Sequence, residues 1–300
     1  MADHLNRDEL ERRLSAIRGR FSGDIALFAH NLATDETVEL DADALMPTAS
    51  VIKLAVLVEL FRRIAAGEID PARRLPLRAE DQVGGSGILR EFAPGLEPTV
   101  GDLAMLMVVL SDNTATNVLI DLVGGVTAVN ETIQQRLGLR DTTLHNRIDF
   151  AAIDGKVRRL AESTPRELGR LVGSVVRGDL LDRASCDAIL DIMGRQRYLD
   201  QAPRYLAVNP YAKELGVAET LRVANKTGMF PGVRADAGVF QMPGGIDVVY
   251  CIMSEHSADR SFSPEAEGEV AAGAIGRLLV EYWWPDGPLP AAIGFPSPHL

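Results

Sequence analysis

The chain has 300 residues, of which 46% are hydrophobic and 24% charged, and it carries a formal net charge of −11. A chain of this length and composition can bury a large core, which excludes long disordered, collagen-like and disulfide-scaffold proteins. The negative charge, together with the lack of a Lys/Arg cluster, argues against a nucleic-acid partner.

The cysteine count and the apolar runs bear on disulfide bonds, export and membrane insertion. Cys186 and Cys251 are predicted to be free buried thiols, since two cysteines allow one pair at most. Residues 1–14 lack the apolar core of a signal peptide, and no apolar run approaches the roughly 20 residues that span a bilayer. The sequence therefore predicts no membrane partner and a cytoplasmic location, unless the given chain lacks its export signal.

Helical patterns dominate the first two thirds of the chain. A first amphipathic helix is predicted at 6–18, before two strands at 24–31 and 37–40. The segment 50–66 is apolar on most faces, which is typical of a helix buried inside the fold. Further helices are predicted at 100–110, 114–122, 126–137, 165–177 and 182–193.

Strand patterns return after residue 210. They lie at 219–225, 235–242 and 246–254, and a last helix is predicted at 264–283. Strands at both ends of a chain with a helical middle indicate an α+β fold with two lobes.

The two predicted lobes have the following boundaries. Residues 1–46 and 211–300 form a mixed lobe that contains the sheet, and residues 47–210 form an inserted all-α lobe. A ligand site is expected between the lobes, because clefts between domains are frequent sites of binding and catalysis.

Three short motifs indicate the chemistry. They are Ser50-Val-Ile-Lys53, Ser111-Asp-Asn113 and Lys226-Thr-Gly228. One Ser-x-x-Lys is weak evidence, but each of the other two strings is expected only about 0.05 times by chance in such a chain. The three motifs together, in this order, are the signature of class A β-lactamases and penicillin-binding proteins.

The residue types in these motifs suit nucleophilic catalysis. A serine needs a base to attack at neutral pH, and residues three apart on a helix place the Lys53 amine beside the Ser50 hydroxyl. Burial and a second positive charge from Lys226 would hold the pKa of Lys53 down. Ser50 opens its helix, where unpaired backbone N–H groups can bind an oxyanion.

Each motif taken alone also has a purely structural interpretation. Ser50 could be an ordinary helix cap, Ser111-Asp-Asn113 a turn between two helices, and Lys226-Thr-Gly228 the end of a strand. The occurrence of all three favours a catalytic site.

Residues 23–284 resemble the class A β-lactamase-like serine hydrolases of the penicillin-recognising superfamily, in motif order, spacing and lobe layout. The resemblance implies a five-stranded antiparallel sheet flanked by helices. It makes Ser50 the acylated nucleophile and Lys53 its activating neighbour, and gives Ser111 the transfer of a proton to the leaving nitrogen.

The same resemblance implies the substrate-binding residues. Asn113 would bind a side-chain amide of the substrate, and Lys226 and Thr227, in the motif that ends at Gly228, would bind its carboxylate. The backbone N–H groups of Ser50 and Met229 would form the oxyanion hole. Arg234, on the adjoining strand, is a second candidate anchor for the carboxylate.

The segment 146–155 departs from the family pattern. Class A enzymes carry a Glu-x-x-Leu-Asn string there, whose glutamate aligns the water that hydrolyses the acyl-enzyme, and this chain lacks the string. Arg147 matches the arginine of that loop, with Glu162 as its candidate partner, and Asp149 then falls at the glutamate position, one methylene shorter. Asp149 is a candidate deacylation base, and the alternative is that it caps the loop or pairs with Arg147.

The sequence therefore predicts a serine hydrolase that forms an acyl-enzyme at Ser50, with β-lactams as the favoured substrates and slow deacylation. One alternative is a cytoplasmic peptidase, amidase or esterase of D-amino-acid type on the same scaffold, acting on another small amide or ester. Another is an inactive ligand-binding homologue. No metal site and no cofactor are predicted, because the five histidines are scattered, and the sequence leaves the oligomeric state open.

Overall fold

The computed structural model describes residues 4–287, and the strands and helices are numbered along the chain. Five strands form one antiparallel sheet in the order β2-β1-β8-β7-β6. Their bounds are Asp24–Asn31 for β1, Glu36–Leu40 for β2, Arg222–Phe230 for β6, Val233–Met242 for β7 and Ile246–Glu255 for β8. The predicted five-stranded antiparallel sheet is therefore confirmed.

Ten α-helices lie within the described residues. Their bounds are Arg7–Arg20 for α1, Lys53–Ala65 for α2, Val100–Val109 for α3, Asn113–Leu122 for α4, Gly125–Asn130 for α5, Phe150–Ile153 for α6, Pro165–Arg177 for α7, Arg183–Met193 for α8, Ala212–Leu215 for α9 and Glu267–Trp283 for α10. No helix within residues 4–287 combines the length and apolar character that a membrane span requires.

The two faces of the sheet are buried by different helices. On β1, Ile25 and Leu27 belong to the apolar cluster that includes Leu10 of α1 and Leu279 of α10. Ala26 belongs instead to the larger cluster that contains the buried side of α2 and the helices around it. This alternation follows from the two-residue period of a strand, and it places the helical segment directly against the sheet.

The inserted segment is less uniformly helical than predicted. A second sheet pairs β3, Met46–Pro47, with β5, Ala161–Ser163, which also pairs with β4, Thr143–Leu144. Strands of two or three residues are too short to give a periodic pattern. The prediction of an all-α lobe at 47–210 is therefore wrong in this detail, while its two-lobe boundaries remain a prediction, with 1–3 and 288–300 outside the described residues.

Three other predicted elements differ from the observed ones. The helix predicted from residue 50 begins with the 3₁₀ turn Ala49–Ile52, and the helix predicted at 126–137 continues from α5 into the π-helix Glu131–Arg136. Strand β6 begins at Arg222 and extends to Phe230, past the predicted end at residue 225. The prediction ended too early because the Lys-Thr-Gly motif interrupts the apolar pattern, although its residues are buried in the strand.

Helix α7 approaches β1 closely at Gly169. A Cβ atom there would lie 2.4 Å from Cδ1 of the buried Phe28, whereas one at Gly173, a turn further along α7, would meet no atom closer than 3.4 Å. We expect Gly169→Ala to lower the free energy of unfolding by about 1–3 kcal/mol through overpacking. Urea denaturation measures this, and Gly173→Ala is the matched control, expected to be neutral or to stabilise by up to about 1 kcal/mol. Equal effects of the two substitutions would contradict the close approach.

Candidate active site

Ser50 lies on the 3₁₀ turn Ala49–Ile52, immediately before α2. Ala49 has a left-handed backbone with φ of +43°, which turns the chain sharply into this segment. Strand β6 passes beside it: a Cβ atom at Gly228 would lie 2.8 Å from the backbone nitrogen of Ser50 and 2.7 Å from the carbonyl oxygen of Thr48. Only glycine allows this contact, so Gly228 brings the strand edge beside the predicted nucleophile.

The Lys53 side chain is fully buried at the start of α2. Its Nζ donates to the carbonyl oxygen of Ser111 at 2.6 Å, to Oδ1 of Asn113 at 2.8 Å and to the hydroxyl of Ser111 at 3.1 Å. Within residues 4–287 it has no hydrogen bond to the Ser50 hydroxyl, in contrast to the predicted direct pair. The second motif, rather than Ser50, supplies its partners.

The environment of Lys53 favours a neutral amine. Burial lowers the pKa of Lys53 well below its ordinary value, and the nearby positive charge of Lys226 lowers it further, against the opposing charge of Asp112. A neutral amine keeps two N–H donors and gains one lone pair, so the Ser111 hydroxyl can donate to it. Lys53 is thus a potential general base, as the sequence predicts.

The Ser111-Asp-Asn113 motif forms the turn into α4. Ser111 adopts a left-handed backbone with φ of +53°. Asp112 caps α4 by accepting from the Ala115 N–H, and its other oxygen accepts from the backbone N–H groups of Ile88 and Leu89. The sequence offered capping and turn chemistry as the structural interpretation of this motif, and Asp112 supplies the cap while it also fixes the loop at the cavity rim.

Asn113 connects this turn to the same rim loop. Its Nδ2 donates to the carbonyl oxygen of Gly84 at 2.9 Å. A side-chain amide has two N–H donors, and across residues 4–287 this is the one hydrogen bond that Nδ2 makes. The second N–H is available to a ligand, which agrees with the predicted binding of a substrate amide.

The Lys226-Thr-Gly228 motif lies within β6. Lys226 is fully buried, and its Nζ donates to the carbonyl oxygen of Thr227 at 2.6 Å. Burial lowers the pKa of Lys226 to about 7, against the opposing charge of Asp236. Asp236 is itself buried on β7, where burial raises the pKa of its carboxyl to about 7 although Asn225 and the Ala202 N–H donate to it.

Asp149 lies in the loop that the sequence marks as atypical. Its Oδ1 accepts from the backbone N–H groups of Ala151 and Ala152 and so caps the short helix α6. The preceding residue, Ile148, is held by two hydrogen bonds between its backbone and the buried Asn117 side chain. The capping role that the sequence offered as an alternative is present, and the catalytic role of Asp149 remains a prediction.

The predicted partner of Arg147 is wrong. Arg147 pairs with Asp121 at 3.1 Å, and Glu162 binds Arg158 and His145 instead. The reason is that Glu162 lies on β5, between β3 and β4, where Arg158 reaches it from four residues away.

Arg234 is 3% exposed and is engaged by protein groups. Its guanidinium binds the buried Glu269 of α10 and donates to the carbonyl oxygens of Phe230, Val233 and Ser261. It does not contribute to the cavity lining described below. Its predicted role as a second carboxylate anchor therefore remains a prediction that requires a rearranged guanidinium.

One cavity of about 410 Å³ contains most of the predicted site, within the range of ligand pockets. The six predicted residues in its lining are Ser50, Ser111, Asn113, Asp149, Thr227 and Met229. Lys53 and Lys226 are buried next to these residues. A larger groove of about 850 Å³, between α7 and β1, contains none of them.

A second group of possible ligand atoms lies at the ends of β1 and β8. One potential metal-ligand atom from each of three residues lies within 4.8 Å of the other two, and the residues are Asp24, Glu255 and His256. The Arg158 guanidinium already binds one oxygen of Glu255. This group lies outside the cavity. The prediction of no metal remains untested.

The fold and the arrangement of the site define a β-lactamase-like hydrolase. A family model described as "Beta-lactamase enzyme family" matches residues 9–283. The chain therefore belongs to the β-lactamase enzyme family, which confirms the resemblance seen in the sequence.

Individual relatives agree in sequence and in structure. A β-lactamase from Streptomyces fradiae is 30% identical over 281 residues, which cover 91% of this chain and 85% of that protein. The crystal structure of a β-lactamase from Sphaerobacter thermophilus DSM 20745 superposes with a TM-score of 0.79 at 29% identity, over 92% of this chain and 97% of the other.

A mutant of PBP-A, solved as an acyl-enzyme complex with penicillin G, is also similar. It has a TM-score of 0.79 and 27% identity, over 93% of this chain and 97% of that chain. The fold of this chain is thus shared by proteins named as β-lactamases and by PBP-A.

The charges of Lys226 and Asp236 generate a pH prediction. Lys226 loses its proton as the pH rises through about 7, so we expect acylation by a β-lactam that carries a carboxylate to weaken there. Because Asp236 raises the pKa of Lys226, Asp236→Asn should move this fall to lower pH. Second-order acylation rates between about pH 5 and about pH 9 measure the shift.

A methyl ester of the same β-lactam is the control. It lacks the carboxylate that Lys226 would attract, so it reports the effect of the Lys226 charge on Lys53 without its effect on substrate binding. Identical midpoints for the acid substrate in wild type and Asp236→Asn would contradict the prediction.

Proposed function

We propose that this protein opens β-lactam rings by acylation of Ser50 and releases the product slowly. The observation that carries the proposal is the shared cavity of Ser50, Ser111 and Asn113, with the buried Lys53 amine hydrogen-bonded to the last two. This arrangement supports roles for Ser50 as the nucleophile, Lys53 as a neutral base and Asn113 as an amide donor.

Acylation joins the Ser50 oxygen to the lactam carbonyl carbon and breaks the bond between that carbon and the ring nitrogen. The proton of Ser50 passes to the neutral Lys53 amine. Ser111 delivers its hydroxyl proton to the leaving nitrogen and receives one from Lys53, which returns to its neutral form. The 3.1 Å hydrogen bond between Lys53 and the Ser111 hydroxyl supports this relay. The backbone N–H groups of Ser50 and Met229 hold the oxyanion that forms.

Lys226 and Thr227 bind the carboxylate of the substrate. Thr227 lies in the cavity lining, and the cationic form of Lys226 supplies the attraction from beneath it. In its cationic form Lys226 also keeps Lys53 neutral, because two buried positive charges close together are unfavourable. Substrate binding and activation of the nucleophile thus depend on one charge.

Release of the acyl group requires a water molecule and a base. Asp149 lies in the cavity lining, but one of its oxygens already accepts two backbone N–H groups. Its other oxygen is the candidate base for the deacylating water. A short side chain with one oxygen committed to capping α6 supports slow hydrolysis, and the similar PBP-A mutant was captured as an acyl-enzyme with penicillin G.

The first test is an intact-mass time course with a penicillin and a cephalosporin. We expect the mass of the wild-type protein to rise by the mass of the β-lactam and then to return slowly. Ser50→Ala should show no adduct, since it removes the nucleophile. Ser86→Ala is the matched control, because Ser86 lines the same cavity but belongs to none of the three motifs.

The outcomes separate the possible activities. An adduct that decays with release of the opened ring supports the proposal, and an adduct that never decays supports acylation without turnover. No adduct on the wild-type protein would contradict the proposal. Profiling with esters and D-amino-acid peptides would then test the other hydrolase activities that the sequence allows.

Asp149→Asn tests the deacylation base. The amide oxygen can still cap α6, so the loop keeps its structure, but an amide cannot accept the proton of the water. We expect the adduct to decay about 100-fold more slowly, at the lower end of general-base effects. Asp154→Asn, five residues further along the chain, is the control, and unchanged decay in Asp149→Asn would reject Asp149 as the base.

A further inference from the structure

Aromatic side chains surround the predicted nucleophile. Phe150, Tyr198, Phe230 and Phe262 all line the cavity. Two of them are unusually accessible, since Phe150 is 47% exposed and Phe262 is 60% exposed. Exposed apolar side chains grouped at a cavity indicate contact with an apolar ligand group.

Phe150 is held in place by the backbone on either side of it. Its neighbour Asp149 caps α6, in which Phe150 is the first residue, and Ile148 is fixed by the Asn117 side chain. The ring is therefore exposed on a restrained backbone. A restrained aromatic side chain can bind a ligand at a small cost in conformational entropy.

Gly85 brings Phe150 next to the amide of Asn113. A Cβ atom at Gly85 would lie 2.6 Å from Asn113 Nδ2 and 2.8 Å from Phe150 Cζ, and the residue has a φ of +88°. The edge of the ring and the free N–H of the amide are therefore close neighbours. A group attached to a carbonyl that binds Asn113 meets the Phe150 ring.

We infer that Phe150 determines specificity for substrates whose amide-linked acyl group carries an aromatic ring. This inference rests on the proposed acylation of Ser50. The carbonyl oxygen of the substrate's side-chain amide accepts from Asn113 Nδ2, and the ring beyond that carbonyl packs against Phe150. Two aromatic rings pack favourably at such an edge, beyond the effect of their buried area.

The other accessible phenylalanine, Phe262, has a different neighbour. Its ring covers the Arg234 guanidinium, with 5.4 Å between the guanidinium carbon and the ring centroid. The close approach of Gly85 instead brings the Phe150 ring beside Asn113. Phe262→Ala is therefore a control for the removal of an accessible ring from the same cavity.

The experiment compares two penicillins that differ only in the side chain, one with a phenylacetamido group and one with an acetamido group. Second-order acylation constants are measured by intact mass for wild type and for Phe150→Ala. We expect the wild type to prefer the phenylacetamido compound and Phe150→Ala to lower this preference about tenfold. Phe150→Tyr, which keeps a ring at this position, should retain it.

Two further variants control for a general loss of surface aromatic area. Phe92 is 46% exposed and lies outside the cavity lining, so Phe92→Ala removes a matched side chain from elsewhere. Phe92→Ala and Phe262→Ala should leave the ratio of the two constants unchanged.

The results distinguish this inference from the proposed function. If both penicillins acylate the wild type and Phe150→Ala leaves their ratio unchanged, the role of Phe150 is wrong while acylation of Ser50 is upheld. If neither penicillin gives an adduct on Ser50, the proposed function fails, and the inference that rests on it fails too.

Discussion

The rest of the site depends on the hydrogen bonds of the buried Lys53 amine. It joins α2 to the turn before α4 through three hydrogen bonds to Ser111 and Asn113. A buried amine without partners would be costly, so these acceptors must remain where they are. The left-handed backbone at Ser111 is maintained by the same contacts, because strain of this kind persists only where surrounding structure enforces it. Fixing the lysine therefore fixes both the Ser111 hydroxyl and the Asn113 amide, which line the cavity.

Strand β6, at the edge of the sheet, supplies the second half of the site. Gly228 lets β6 touch the turn that carries Ser50, and the next residue, Met229, contributes to the cavity lining. Lys226, two residues before Gly228, is buried near enough to lower the pKa of Lys53. Asp236 on the paired strand β7 raises the pKa of Lys226. The pKa values of the two lysines are thus lowered by burial, while Asp112 opposes this shift for Lys53 and Asp236 opposes it for Lys226. The charge of Lys226 lowers the pKa of Lys53 further, which favours one cationic and one neutral amine in this core.

The sequence predicts which residues lie together at the site better than it predicts their contacts. Motif spacing selected Ser50, Lys53 and the residues around them, which lie in or beside one cavity, because three-residue spacing and rare strings are visible in a linear chain. The spacing predicted a hydrogen bond between the Lys53 amine and the Ser50 hydroxyl. The amine instead donates to acceptors in the turn before α4, about 60 residues away in sequence. The guanidinium of Arg234 is bound by Glu269 of the last helix, a contact that no local pattern reveals. The aromatic lining is missed for the same reason, since Phe150, Tyr198 and Phe262 come from segments that are far apart in sequence.

The loop around Asp149 contains both the candidate deacylation base and the phenylalanine to which we assign specificity. The Asp149 cap and the hydrogen bonds of Asn117 to Ile148 form one short rigid segment. This segment commits one carboxylate oxygen of Asp149 to the backbone of α6 and holds the Phe150 ring at the cavity. The slow deacylation that we propose and the proposed contact of Phe150 with the substrate would therefore depend on the same local structure.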